Sequence, residues 1–370
     1  MISDTTYLAA KMVSSTLEEY FSVYAYKHDL LPVNIIEAVV DAAFWSSLRK
    51  EEGHSPKISI ALIPVNRAKH SLCFSSIVRL TPHALVKLSP AVIQPGVHLG
   101  VWYDDHNLFI WGTIHSIPDS CMVLEVVEPG LLVVKHKQHE GYGKFINVAI
   151  LKGDQVKLVE EQNLGLTDYP DILGSLLGLP FLTEANEPVH ILVELAVAMR
   201  RHGRGGLLLV VPSAGGQWQN SIVHPMGYVI DPIYCALADL MHTPLDNQPE
   251  KMKEQLLKII DIIGGFTAID GATIITKAYE LLAFGAKVGR DTQNEQVSKV
   301  MVSEPIIGND AIIVDPVKMG GTRHLAAAQF VHDQHDAMAL VASQDGIFTV
   351  FTWSEPLQLV RAHRIDTLLL

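Results

Sequence analysis

Gly206-Leu207-Leu208-Leu209-Val210-Val211-Pro212 decides the fold of the C-terminal half of this chain. An unbroken apolar run of this kind suits a strand covered on both faces. Residues 189–202 precede it, with apolar positions at helical spacing. That segment ends in Arg200, Arg201 and His202 and is followed by Gly203. Basic residues in the last turn and a glycine just beyond it are a helix stop. Further out, Gln248-Pro249-Glu250 opens a second helix over 251–263, which Gly264-Gly265 closes. Residues 272–276, 311–314, 337–342 and 347–351 read as strands, and a helix starts at Arg323. Helices that alternate with buried strands predict an α/β domain.

The N-terminal half follows a different pattern. Residues 1 to about 50 look helical, most clearly from Val33 to Trp45, with Asn34 as an N-cap candidate. Glu51-Glu52-Gly53-His54-Ser55-Pro56 breaks that pattern. Strand-like segments follow at 57–64, 99–103, 108–112, 123–127, 131–134 and 145–151, with Asp104-Asp105-His106-Asn107 as a hairpin turn. The expected organisation is a β-rich domain with a helical start at 1–165, a connector at 166–188, an α/β domain at 189–355 and a tail at 356–370.

Of the 370 residues, 48% are hydrophobic and 18% charged, which is enough to build two cores. The formal net charge of -12 gives no general attraction for DNA, RNA or anionic lipid. A phosphate ligand must therefore be held by local groups. Cys73, Cys121 and Cys235 lie far apart, so neither a disulfide framework nor a cysteine zinc site is expected. There is no apolar run of the ~20 residues that a membrane helix needs, nor a signal-peptide pattern at the start. A cytoplasmic protein without membrane contact is the expectation.

Two segments carry chemistry. In Ile269-Asp270-Gly271-Ala272-Thr273-Ile274-Ile275, an acid sits at a turn that leads into a strand. Glycine lets a main chain approach a ligand, and Mg²⁺ favours one or two carboxylates plus substrate phosphates. As a plain alternative, Asp-Gly is simply a turn. In Gly320-Gly321-Thr322-Arg323-His324-Leu325-Ala326-Ala327-Ala328, a glycine turn, a Thr cap and a cationic pair open a helix. Amides and dipole at such an N-terminus favour an anion, and Arg and His add donors for phosphate oxygens. A Thr-capped surface helix with solvated Arg and His is the alternative.

Together these segments resemble the diadenylate cyclase domain family. That family carries Asp-Gly-Ala, then Gly-Thr-Arg-His-Arg before alanines, then Ser-Asp-Ala, an apolar strand and Ser-Glu-Glu-Thr-Gly. Here stand Asp270-Gly271-Ala272, Gly321-Thr322-Arg323-His324, and His335-Asp336-Ala337 followed by an apolar strand and Ser343-Gln344-Asp345-Gly346. The resemblance spans residues 187 to 352. It implies a mixed sheet flanked by helices and a reaction that joins two ATP molecules into cyclic di-AMP across a face-to-face homo-oligomer. It further implies Asp270 as ligand of Mg²⁺ or Mn²⁺, and Asp270, Arg323 and His324 as catalytic residues. The nucleotide-binding set would be Gly271, Ala272, Gly321, Thr322, Arg323, His324, Ser343 and Asp345.

The departures are specific. Leu325 replaces the family's second Arg, Gln344 replaces its first acid, and residues 285–310 look like additional material. Lys318 and Arg290 are candidates to replace the lost charge. The expectation is thus a divergent domain that senses an adenine nucleotide, ATP or cyclic di-AMP. An active cyclase and a non-nucleotide interaction protein are the alternatives. His332 with His335, and His136 with His139, have spacings that can bind zinc but lack an evident third ligand. The loop at 213–218 lacks a P-loop ending; Trp218 in it is a candidate for adenine stacking, with core packing, the commoner role of a Trp, as the alternative.

Overall fold

A computed structural model describes residues 6–24, 31–94, 96–104, 107–118, 121–137, 145–159, 191–242 and 249–370. The chain divides into two compact units, Met1–Glu161 with Leu370, and Gln162–Leu369. The connector predicted at 166–188 lies outside the described residues.

In the N-terminal unit, helices α1 (Leu8–Tyr24) and α2 (Val33–Ser47) precede strands β1 (Ile58–Leu62) and β2 (Lys69–Arg79). Helix α3 (Pro82–Leu88) follows, then β3 (His98–Asp104), β4 (Asn107–Ser116), β5 (Met122–Glu128), β6 (Leu131–Lys137), β7 (Phe145–Lys152) and β8 (Gln155–Leu158). The sheet order is β2-β4-β3-β1-β5-β6-β7-β8, with β1 and β3 parallel. The predicted hairpin forms, and Asp104 pairs with Asn107. Asp105 and His106, within its turn, lie outside the described residues. Pro32, not Asn34, occupies the N-cap of α2, because its φ of -62° already suits the entry to a helix. The sequence pattern missed α3, although Thr81-Pro82 announces it: Thr81 Oγ1 accepts from the Ala84 amide at 3.1 Å. Alternate residues of β1 and β5 (Ile58, Ile60, Leu62, Leu124 and Val126) join the side chains of α1 and α2 in one core.

The second unit contains α4 (Ile191–Arg201), β9 (Gly206–Val211), β10 (Tyr228–Tyr234), α5 (Ala236–His242) and α6 (Pro249–Phe266). It continues with β11 (Ala272–Thr276), β12 (Leu281–Ala286), β13 (Val300–Ser303), β14 (Ile312–Val314) and α7 (Thr322–Asp333). Strands β15 (Met338–Ala342), β16 (Phe348–Ser354) and β17 (Leu359–Arg364) complete it. The sheet runs β10-β12-β11-β9-β15-β16-β17-β13-β14 and is mixed: β9 pairs parallel with β11 and antiparallel with β15. Leu207, Leu209 and Val211 pack with Ala327, Phe330 and Val331 of α7. Leu208 and Val210 point the other way and are equally buried, as the period of two requires. Helix α4 packs on β15 and on α6. The strand read from its apolar run is therefore central and covered on both faces.

One expectation changes: the segment from 356 onward, read as a tail, carries β17, whose Val360 and Ala362 are fully buried. Residues 285–310, read as additional material relative to the resembled family, contain β13, which pairs with β17. No helix among the described residues is long and apolar enough to cross a membrane.

Candidate functional site

Register places the motifs at one end of the second sheet. Ala272 pairs with Leu207 in the parallel β9–β11 ladder, so Asp270 stands beside Gly205. Gly206 pairs with Ala342 in the antiparallel β9–β15 ladder, so Ser343 and Gln344 reach the same end. Helix α7 starts there too. Gly321, Thr322, Arg323, His324, Val341, Ala342, Ser343 and Gln344 line an open cleft of about 160 Å³.

Arg323 is half-buried, and its guanidinium lies over Gly205: a Cβ there would sit 3.0 Å from Nη1. Gly205 has φ +72° and Gly203 φ +65°, so the 203–205 loop takes a path that side chains resist. That loop carries Arg204, whose carbonyl accepts from Gln344 Nε2 at 3.3 Å. The glycine run after α4 reads only as a helix stop in the sequence, which is why Arg204 escaped notice. Its clue was a cation set between two glycines just before a central strand. Lys318 and Arg290, the substitutes considered for the missing guanidinium, are exposed and do not line the cleft. The nearby cations are Arg204 and Arg364 instead.

The helix start differs from the expectation. Gly321, with φ -70° and ψ -177°, holds the N-cap, no side-chain cap bond forms, and Thr322 is the first helical residue. The predicted Thr cap is absent because the cap position fell one residue earlier, on a residue with no side chain. The N-terminal turn is thereby left without a side-chain acceptor for its amides.

His324 does not form a cationic pair with Arg323. It is buried, packs edge-on to Phe351 and lies 3.5 Å from Thr349 Oγ1. Burial first, then Arg364, pushes its pKa below the ordinary 6.5, against a weaker pull from Asp345. It is therefore a neutral imidazole wall of the cleft. Gly320 lies against it, where a Cβ would be 3.0 Å from Nδ1.

The remaining predicted residues sort by geometry. Ser343 lines the cleft and donates to Asp345 Oδ1, a bond that holds the Asp345 carboxyl below its usual value. Asp345 itself is exposed and outside the cleft lining. Asp270 is exposed at the same sheet end, one strand away across β9, and is not a lining residue either. Gly271 has φ +99°, and a Cβ there would fall 2.5 Å from Gly285, so the crossing of β11 and β12 alone demands glycine. Ala272 is buried in the core. Neither needs a ligand to explain it.

The residues fit a divalent metal only as partners of a bound phosphate. Among the described residues no group of three or more His, Cys, Asp or Glu could hold a metal. Asp270 alone would supply one carboxylate, which suffices for Mg²⁺ or Mn²⁺ where substrate phosphates complete the shell. His332 and His335 do not form a zinc pair. His335 lies beyond α7 and stacks on Trp353 with centroids 3.7 Å apart, while His332 Nδ1 contacts Asp333 at 3.3 Å. His136 is buried beside Tyr20, and His139 lies outside the described residues. Trp218 is core, not a stacking platform: it is buried, and its Nε1 donates to Ser213 O at 3.1 Å.

Fold and site together define a two-unit protein, each unit a mixed sheet with flanking helices, with a small cation-rimmed cleft at a sheet end of the second. Residues 27–115, from just before α2 into β4, match the family described as "Probable sensor domain DACNV", which is named for the region N-terminal to the diadenylate cyclase domain. No curated protein matches the chain.

Proposed function

We propose that the second unit binds an adenine nucleotide, ATP or cyclic di-AMP, and that the protein acts as a nucleotide sensor. The observation that carries this is the convergence on one cleft of Arg323, the α7 N-terminus and Ser343–Gln344, with Arg204 on the adjoining loop. In a chain of net charge -12, this local set of cations and amides is an anion site. The preference for adenine comes from the resemblance to diadenylate cyclases. DNA and RNA do not suit so small a site.

Two features favour sensing over turnover. Leu325 leaves the helix start one guanidinium short, and such charge dominates phosphoryl transfer. Asp270 also lies a strand away from the cleft. The sensor-family match in the first unit agrees with this role. The second reading, an active cyclase, draws on the retention of Asp270 at the same sheet end. In that case Asp270 would hold Mg²⁺ or Mn²⁺ together with the phosphates. The metal would offset charge at the attacked phosphate, Arg323 would orient it, and two copies would have to face each other.

The test is to incubate the full chain with ATP and Mg²⁺ or Mn²⁺, assay cyclic di-AMP, and titrate ATP and cyclic di-AMP by calorimetry. Binding without product is the expected result. Product that Asp270→Asn abolishes would replace the sensor with the cyclase. Neither binding nor product would leave an interaction protein.

A further inference from the structure

His202 sits at the join between the two halves of the candidate site. It closes α4 and opens the loop that carries Arg204 and Gly205. The Arg204 amide donates to His202 Nδ1 at 3.1 Å, so that nitrogen carries no proton. The proton is then on Nε2, which donates to Thr267 Oγ1 at 3.1 Å. Thr267 Oγ1 in turn donates to Gly264 O at 2.6 Å. Every donor in this relay has one acceptor, which fixes both the tautomer and the ring orientation.

The far end of the relay is the turn that delivers Asp270. The amides of Thr267, Ala268 and Ile269 donate back to Gly264, Gly265 and Phe266, so the segment from α6 to Asp270 is wound as one piece. It is seated tightly as well: a Cβ on Gly206 would lie 2.9 Å from Thr267 Oγ1. The near end is the loop on which the Arg323 guanidinium rests. One imidazole thus links the cation side of the cleft to the carboxylate one strand away.

We infer that His202 is a positioning residue that holds the Arg204–Gly205 loop, on which Arg323 rests, in a fixed relation to the Asp270 turn one strand away. This inference rests on the nucleotide reading for its ligand, but its structural claim stands apart from it. Shape complementarity alone would hold the loop without the turn. The two-ended relay requires that breaking either end disturb both segments.

The experiment compares His202→Ala, His202→Asn and Thr267→Val in the full chain by hydrogen exchange of the free protein and by ATP titration with Mn²⁺. His202→Ala should speed exchange about fivefold both at 204–206 and at 267–269, the loss of one net hydrogen bond at each end. His202→Asn keeps an acceptor for the Arg204 amide but cannot reach Thr267. It should leave the turn as fast as in His202→Ala and the loop faster than in the unsubstituted protein, since the relay is still broken at Thr267. Thr267→Val, nearly isosteric, should loosen the same two segments from the other end. It also decides the question if His202→Ala fails to fold. ATP should bind about fivefold more weakly to each variant that loosens the loop under Arg323. Unchanged exchange at 267–269 in both His202→Ala and Thr267→Val would overturn the inference. Absence of ATP binding by the unsubstituted protein would sink the nucleotide reading instead, and the exchange data would still decide the role of His202.

Discussion

At the residue scale, the proposed nucleotide site rests most on Arg323. Its fork suits a phosphate, and it is held over Gly205 rather than left in solvent. Arg323→Ala should weaken ATP binding about 10- to 100-fold, the range for hydrogen bonds to charged groups, as measured by calorimetry. Equal affinity for the variant would remove Arg323 from the site. Gly205 is the second test. Its φ of +72° and a Cβ only 3.2 Å from Ala342 O leave no comfortable place for a side chain. Gly205→Ala should lower stability by about 1–2 kcal/mol, seen as a reduced Tm, and displace Arg323 with it. An unchanged Tm would mean that the loop relaxes freely.

The start of α7 makes the next scale clear. Gly321 caps it without a side chain, in an extended conformation that serine tolerates, and open space surrounds its missing Cβ. Gly321→Ser should therefore stabilise the protein by a few tenths of a kcal/mol while its hydroxyl competes for the amides that would meet a phosphate. Thermal melts should rise slightly as ATP affinity falls. A rise in both would show that those amides do not contact the ligand. The other end of α7 anchors the segment between β12 and β13. The buried Asp333 carboxylate accepts from the Asp291 amide at 2.8 Å and from Gln329 Nε2 at 2.8 Å, and Gln329 Oε1 accepts from the Val297 amide at 2.9 Å. A stretch that reads as an insertion is thus tied to the helix that frames the cleft.

Over the whole molecule, buried and half-buried histidines set the response to acid. His98, His202, His324 and His363 are all held below their ordinary pKa, chiefly by burial. His363, against Ser303 on β13, is lowered from 6.5 to about 3, by burial first and then by Arg361. A depressed histidine means that the unfolded chain binds the proton more readily. Its contribution is complete above pH 6.5 and is lost as pH falls from there toward about 3. For His363 alone the loss is about 2 kcal/mol between pH 6.5 and about pH 5. Denaturant melts over that range should show stability falling before most carboxylates titrate, and His363→Asn should flatten the slope. A flat profile for the unsubstituted protein would contradict the burial of these rings.

What the sequence determined was local. The apolar run at 206–211 marked a strand covered on both faces, because no solvated strand tolerates that pattern. The glycine and basic residues around 200–203 marked the end of α4. The turn before β11 and the helix start at 321–323 were also legible, since they depend on neighbours in the chain, although the cap fell on Gly321 and not on Thr322. Only the tertiary structure decided which of those residues meet. Strand order brought Arg204, Gly205 and Gln344 to Arg323 from segments far apart in sequence, and put Asp270 across β9 from the cleft. Burial turned His324 from an apparent cation into a neutral wall, and the close approach of Gly271 to Gly285 accounted for a glycine that looked functional. Charge state and backbone clearance depend on which atoms lie across space, and that is not written in the order of residues along the chain.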